Sequence, residues 1–166
     1  GNFIPQIPHQ FILRYTKKND IIFDPFLGSG TTAYEAESLG RNFIGVDIQK
    51  KCVDYVAKNV EQKNNFSDLL VGDSTKIETL ENVKEILKKH KKQKIQLAIL
   101  HPPYADIIKF SDLKDDLSNT KSLKEFLEKF SMVIKNTIEI LDDGRYLAIV
   151  IGDAYKAGKW IPLGFY

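Results

Sequence analysis

The sequence predicts an α/β fold, a doubly wound and mostly parallel sheet with helices on both faces. Three observations lead there. Five short apolar runs, at Ile21–Asp24, Asn42–Ile48, Asp68–Val71, Gln96–Leu100 and Tyr146–Ile151, alternate with longer polar stretches. Runs that are apolar throughout, rather than at every second residue, belong to parallel strands buried on both faces. A glycine-rich turn follows the first run directly, at a strand-to-helix corner. The chain has 166 residues, enough for one domain with a sizeable core.

Taken in order, Phe11–Tyr15 is an apolar helix-like segment ahead of the first strand. Between the strands, Thr31–Leu39, Gln49–Asn64, Thr75–His90 and Leu123–Leu141 read as helices. The last is the clearest. Leu123, Phe126, Leu127, Phe130, Ile134, Ile138 and Leu141 recur at three- and four-residue steps, which puts them on one face. Ser122 with Glu125 forms a capping-box pattern, and Gly144 reads as the stop after the last turn. Strands alternating with helices imply right-handed crossovers, with ligands at the carboxyl ends of the strands.

Composition excludes classes without naming an activity. Lys+Arg 24 against Asp+Glu 22 leaves a formal charge of +2, which permits nucleic-acid binding without arguing for it. Hydrophobic residues at 43% and charged residues at 28% describe an ordinary globular chain. No apolar run approaches the ~20 residues of a membrane-spanning helix, and no stretch reads as a secretory signal, so no membrane partner is expected. The single Cys52 rules out an internal disulfide and a multi-cysteine metal site, and suits a reducing cytoplasm.

The first candidate site is Asp24-Pro25-Phe26-Leu27-Gly28-Ser29-Gly30-Thr31-Thr32-Ala33. Gly28, Gly30 and Ala33 satisfy a loose G-x-G-x-x-G/A dinucleotide fingerprint, and Asp47, 19 positions after Gly28, is placed to bind ribose hydroxyls. A nicotinamide dehydrogenase and a corner with no ligand both fit that much. Asp24 shifts the balance. A carboxylate at the end of the first strand repels a pyrophosphate and attracts the cationic amino and sulfonium groups of S-adenosylmethionine.

With Gly40-Arg41-Asn42-Phe43-Ile44-Gly45-Val46-Asp47 downstream, the loop closely resembles the amino-methyltransferases of DNA modification systems. The resemblance implies a Rossmann-like methyltransferase fold. It also implies that Asp24, Pro25, Phe26, Gly28, Ser29, Gly30 and Thr31 cradle the methionine part of S-adenosylmethionine, with Asp47 and Ile48 at the ribose. Gly72-Asp73-Ser74 resembles the next family element, in which Asp73 contacts the adenine ring. A helix N-cap is the structural alternative for Asp73. Ile7-Pro8-His9-Gln10 with Phe11–Tyr15 looks like the segment that closes over the methionine tail.

The second candidate site is His101-Pro102-Pro103-Tyr104, at the end of the fourth run. Two prolines cannot continue a strand ladder, and they stiffen the corner. A rigid corner between a polar and an aromatic residue suits a planar group. It resembles the family's catalytic tetrapeptide, which usually begins with Asp, Asn or Ser. By that resemblance the base is flipped out, His101 and Pro102 accept hydrogen bonds from its exocyclic amine, and Tyr104 stacks on it. A neutral imidazole accepts one hydrogen bond and its protonated form none, so activity is expected to fail at low pH.

Ala105–Phe110, Asp115–Ser118, Ile151-Gly152-Asp153 and Lys159–Phe165 resemble a subgroup whose tetrapeptide begins with His. Asp153 is expected on the rim near His101, as a substrate contact or as a turn residue, and Lys109 near phosphates. Lys121, Lys156 and Lys159 are similarly placed, whereas the Lys84, Lys88, Lys89, Lys91, Lys92 and Lys94 run reads as a solvated helix end. Trp160 and Phe110 read first as packing residues, and Cys52 as a small buried one.

The reading is therefore a methyltransferase acting on adenine or cytosine amines in DNA, within a restriction-modification or related system. The alternatives are an RNA or protein-glutamine methyltransferase and a non-catalytic S-adenosylmethionine-binding subunit. Residues 1–166 read as one catalytic domain lacking the fold's usual C-terminal strands and any target-recognition domain. A further domain or second polypeptide is expected to supply the latter.

Overall fold

The computed structural model describes residues 4–61, 64–103, 117–120, 122–156 and 158–162. The apolar runs become the central strands. β1 (Ile21–Asp24) and β2 (Asn42–Asp47) are buried along their whole lengths. β3 (Ser67–Val71), β4 (Ile95–Leu100) and β5 (Leu141–Ile149) complete a five-stranded sheet in the order β3-β2-β1-β4-β5. Every pair in that sheet is parallel. The order reverses between β1 and β4, which places the ligand crevice over their carboxyl ends.

Helices cover both faces. α1 (Gln6–Tyr15), α2 (Thr31–Ser38) and α3 (Lys50–Asn59) bury Ile12, Ala33, Ala36, Val53 and Val56 against Ile22, Phe43, Leu97 and Ile99. On the other face α4 (Ile77–Lys89) and α5 (Leu123–Ile140) pack Val83, Leu87, Phe126 and Val133 against Ile21, Phe23, Ile44 and Ala98. Alternate residues of one strand thus feed two cores, which explains why the strands are apolar throughout.

Differences from the sequence reading cluster around the last helix. Ser122 does cap α5, its hydroxyl accepting from the Glu125 amide at 3.2 Å. The helix ends at Ile140, so Leu141 begins β5 rather than finishing a turn. Leu141 pairs with Ile95 and Tyr146 with Leu97, leaving Asp142–Arg145 to loop out. Gly144 lies in that bulge and is not the helix stop. The buried face of α5 runs through Phe126, Phe130, Val133, Thr137 and Ile140, and Ile138 is exposed. The reason is that burial follows the true 3.6-residue drift, whereas a pattern of four-residue steps slides off the stripe. α1 starts five residues earlier than its apolar segment, and Cys52 is only half-buried.

After β5 the chain forms an antiparallel pair, β6 (Ala154–Lys156) with β7 (Lys159–Ile161), as a separate two-stranded sheet. No helix among the described residues is long and apolar enough to cross a membrane.

Candidate active site

The site starts from a buried charge. Asp24 ends β1 at 2% exposure, where its carboxylate accepts from the Thr32 hydroxyl at 2.6 Å and the Phe26 amide at 2.9 Å. Burial pushes its pKa up from 3.8 to about 6, against the lowering effect of those two bonds, and the Asp47 charge adds to the rise. Among the described residues no cation pairs with Asp24. The sequence reading had its oxygens facing a ligand; the fold first uses them to shape the loop.

The loop itself leaves room above its backbone. Gly28 (φ +52) and Gly30 (φ +86) take left-handed conformations, and Gly30 caps α2. A Cβ on Gly30 would lie 2.6 Å from Val56 Cγ2, so α3 packs directly on the turn. At Gly28 the nearest atom is the Phe26 carbonyl at 3.7 Å, which leaves that surface open to a ligand. Ser29 and Thr31 are half-buried beside it. Pro25 is buried, and the Phe26 ring points away, packing 6.2 Å from Phe130 in the α5 core.

Asp47 ends β2 at 9% exposure and ties two loops together. Its oxygens accept from the Gly28 amide and the Gln49 amide, each at 2.8 Å, with Ile48 half-buried between. A carboxylate with this number of acceptor positions is the kind of group that holds ribose hydroxyls. Beyond β3, Asp73 Oδ1 accepts from the Thr75 amide at 2.9 Å and its hydroxyl at 2.8 Å. That is a local turn, not the cap of α4, whose N-cap is Lys76. Ser74 donates to the Pro25 carbonyl at 2.8 Å, and Asn136 of α5 donates to the Ser74 carbonyl at 3.0 Å. Sequence reasoning missed Asn136, because a polar residue on an amphipathic helix carries no periodic signal.

His101, Pro102 and Pro103 follow β4, which pairs with β1 through Ile22–Leu97 and Phe23–Ala98. The proline corner and the glycine loop thus leave adjacent strands at the point of reversal. Pro102 is buried, and burial lowers the pKa of the half-buried His101, favouring the neutral imidazole. Tyr104 and Lys109 lie outside the described residues. Asp153 is exposed past β5, and its Oδ2 accepts from the Trp160 indole at 3.1 Å. Trp160 itself is 60% exposed, contrary to the packing role expected of it.

A second missed feature is the anchoring of α1. His9 Nδ1 lies 2.7 Å from Glu35 of α2, while the buried Arg41 donates to the Thr16 hydroxyl and carbonyl at 3.0 and 2.8 Å. These bonds fix both ends of the segment beside the glycine loop. The lysine run behaves as expected. Lys84 pairs with Glu81 and Glu139, Lys88 with Glu85, and Lys89 with Asp68.

The residues present suit a ligand with a cationic head and a ribose diol: a buried carboxylate, an open glycine surface and a second carboxylate on the neighbouring strand. Residues 4–59 match the DNA methylase family. The chain is 40% identical over 62 residues to the type II methyltransferase M.HinfI of Haemophilus influenzae, covering 37% of this chain and 17% of that protein. It is 47% identical over 55 residues to M2.DpnII of Streptococcus pneumoniae, covering 33% and 20%. The match thus spans about a fifth of these relatives' length. A Streptococcus mutans methyltransferase solved in complex with SAH superposes with TM-score 0.56 at 19% identity, over 90% of this chain and 73% of the other. The fold is that of S-adenosylmethionine-dependent methyltransferases.

Proposed function

We propose that the chain is an S-adenosylmethionine-dependent DNA methyltransferase that modifies the exocyclic amine of adenine or cytosine. It works in a restriction-modification or related system, with target recognition supplied by a further domain or a second polypeptide. The observation that carries the reading is Asp24, a carboxylate buried under the glycine loop that no cation among the described residues pairs with. The cofactor supplies an electrophilic methyl carbon and the missing positive charge.

The chain's own residues do the rest. Asp47 holds the ribose hydroxyls while keeping Gly28 in place. Asp73 and Ser74 form the adenine end of the pocket, locked to the glycine loop through Pro25. His101, kept neutral by burial, accepts from the target amine together with the Pro102 carbonyl. By holding the amine protons, both acceptors favour the geometry in which the nitrogen lone pair leaves conjugation with the ring and faces the methyl donor, so positioning in a water-poor crevice supplies most of the acceleration. Tyr104 stacks the base and Lys109 meets phosphate, by the family resemblance.

Labelled S-adenosylmethionine offered with DNA, RNA or protein tests this. Label in DNA that disappears in Tyr104→Ala supports the proposal. Label only in RNA or protein overturns it, as does cofactor binding with transfer to no acceptor once the recognition domain or polypeptide is present.

A further inference from the structure

The turn that joins β3 to α4 is bonded to three other parts of the fold. The Gly72 amide donates to the Asp47 carbonyl, at the end of β2, at 3.0 Å. The Ser74 hydroxyl donates to the Pro25 carbonyl of the glycine loop at 2.8 Å. Asn136 of α5 adds the third bond, its Nδ2 donating to the Ser74 carbonyl at 3.0 Å. Inside the turn, Asp73 Oδ1 accepts from the Thr75 amide, and the Asp73 carbonyl accepts from the Lys76 amide at 3.0 Å. The position of Asp73 and Ser74 is thus set from outside the turn as well as within it.

α5 is a firm base for such an anchor. Val133, Thr137 and Ile140 flank Asn136 on the helix and are buried, so the helix cannot slide without disturbing the core. Six residues before Asn136, the Phe130 ring packs 6.2 Å from Phe26 of the glycine loop. One helix therefore touches the glycine loop and the Asp73–Ser74 turn together. A cavity of about 10 Å³ between Pro25, Ser74, Thr79 and Asn136 has room for one water at most. On that side the turn is not wedged by side-chain packing, which leaves its placement to the hydrogen bonds.

We propose that Asn136 is a positioning residue for recognition of the cofactor's base, a role that rests on the adenine end proposed above. By holding the Ser74 carbonyl it fixes the turn from which the Asp73 carboxylate faces the purine. A carboxylate accepts from a 6-amino group and repels a 6-oxo group, and hydrogen bonds weaken steeply when misaligned. Asn136 acts through Ser74, not on the ligand.

Calorimetric titration of the full chain with S-adenosylhomocysteine and S-inosylhomocysteine tests this, because the two carry a 6-amino and a 6-oxo purine. The wild type should prefer the amino ligand by about tenfold or more. Asn136→Leu removes the donor and keeps a branched side chain that a helix accepts, and Asn136→Asp removes it at constant size. Both should cut the preference to about twofold, chiefly by weakening the amino ligand. Ser74→Ala breaks the next bond of the same chain, so Ser74→Ala with Asn136→Leu should lose little more than the larger single loss. Urea unfolding of each variant measures its structural share.

A purely structural role would weaken both ligands by the same factor, and that result overturns the inference. An unchanged preference in both Asn136 variants overturns it too, as do Asn136 variants that fail to fold. A wild type that methylates DNA yet binds the two ligands equally overturns the positioning role and spares the proposed activity. A wild type that binds neither ligand and transfers no methyl group overturns both.

Discussion

At Asp24 the fold holds a carboxylate whose ionisation it opposes. A folded pKa of about 6 against 3.8 means that the folded state binds the proton more tightly. The resulting stabilisation is complete below the unfolded value and is lost as pH rises through 6, a swing of about 3 kcal/mol. Asp24→Asn should therefore remove a rise in thermal midpoint that the wild type shows between pH 8 and pH 5. A cationic ligand reverses the balance, because it favours the ionised form. Cofactor affinity should fall as pH drops through 6, and a calorimetric titration at two buffer ionisation enthalpies should find proton release on binding below that pH. His101 shifts the other way, its pKa lowered by burial, so the neutral acceptor persists below the ordinary histidine range. The two groups separate kinetically. Asp24 should govern the cofactor KM, and His101 should govern kcat at saturating cofactor. A kcat that stays flat as pH falls well below the ordinary histidine range would refute the acceptor role.

Among the elements, α1 shows what the sequence could not reveal. Its apolar residues were legible, but its anchors come from residues 26 and 25 positions away, Glu35 and Arg41. Such pairs leave no periodic trace. Arg41 is 7% exposed and also donates to the Leu39 carbonyl at 2.6 Å. Arg41→Met should cost roughly 2–4 kcal/mol in urea unfolding, because it leaves the Thr16 and Leu39 acceptors unmatched. Ser122→Ala, which removes only a cap, should cost about 1 kcal/mol. The same contrast separates the parts of the site. Strands β1 to β4 and the glycine and proline loops were legible, because continuous apolar runs and backbone-restricting residues act locally. Asn136–Ser74, the bulge at Asp142–Arg145 and the Asp153–Trp160 bond were not, because each depends on which strands and helices become neighbours. Trp160 was misread for that reason: its residue type favours burial, and only the topology leaves it outside both cores.

For the molecule as a whole, the outer edge of β5 is the exposed element of the architecture. β4 pairs with one side of the strand, and no strand among the described residues pairs with the other. Tyr146 is 50% exposed and Ile149 43%, and they lie on opposite faces, toward the α1 and α5 sides respectively. Tyr146 gains partial cover from Tyr15, whose ring centroid lies 4.3 Å away. Past the charged bulge, the Tyr146–Ile149 stretch of this edge is uncharged and offers unpaired amides and carbonyls to another strand. The chain should therefore associate as its concentration rises, and light scattering over a concentration series measures this. Ile149→Lys places a charge on that edge without opening a cavity, so it should suppress association while changing stability by no more than about 0.5 kcal/mol. Hydrogen exchange supplies the independent check. Amides of β5 that face β4 should exchange slowly and alternate ones quickly, and the fast set should become protected in the associated form. Protection that is uniform along β5 in the dilute chain would mean that the edge is already covered, and the association argument would fail.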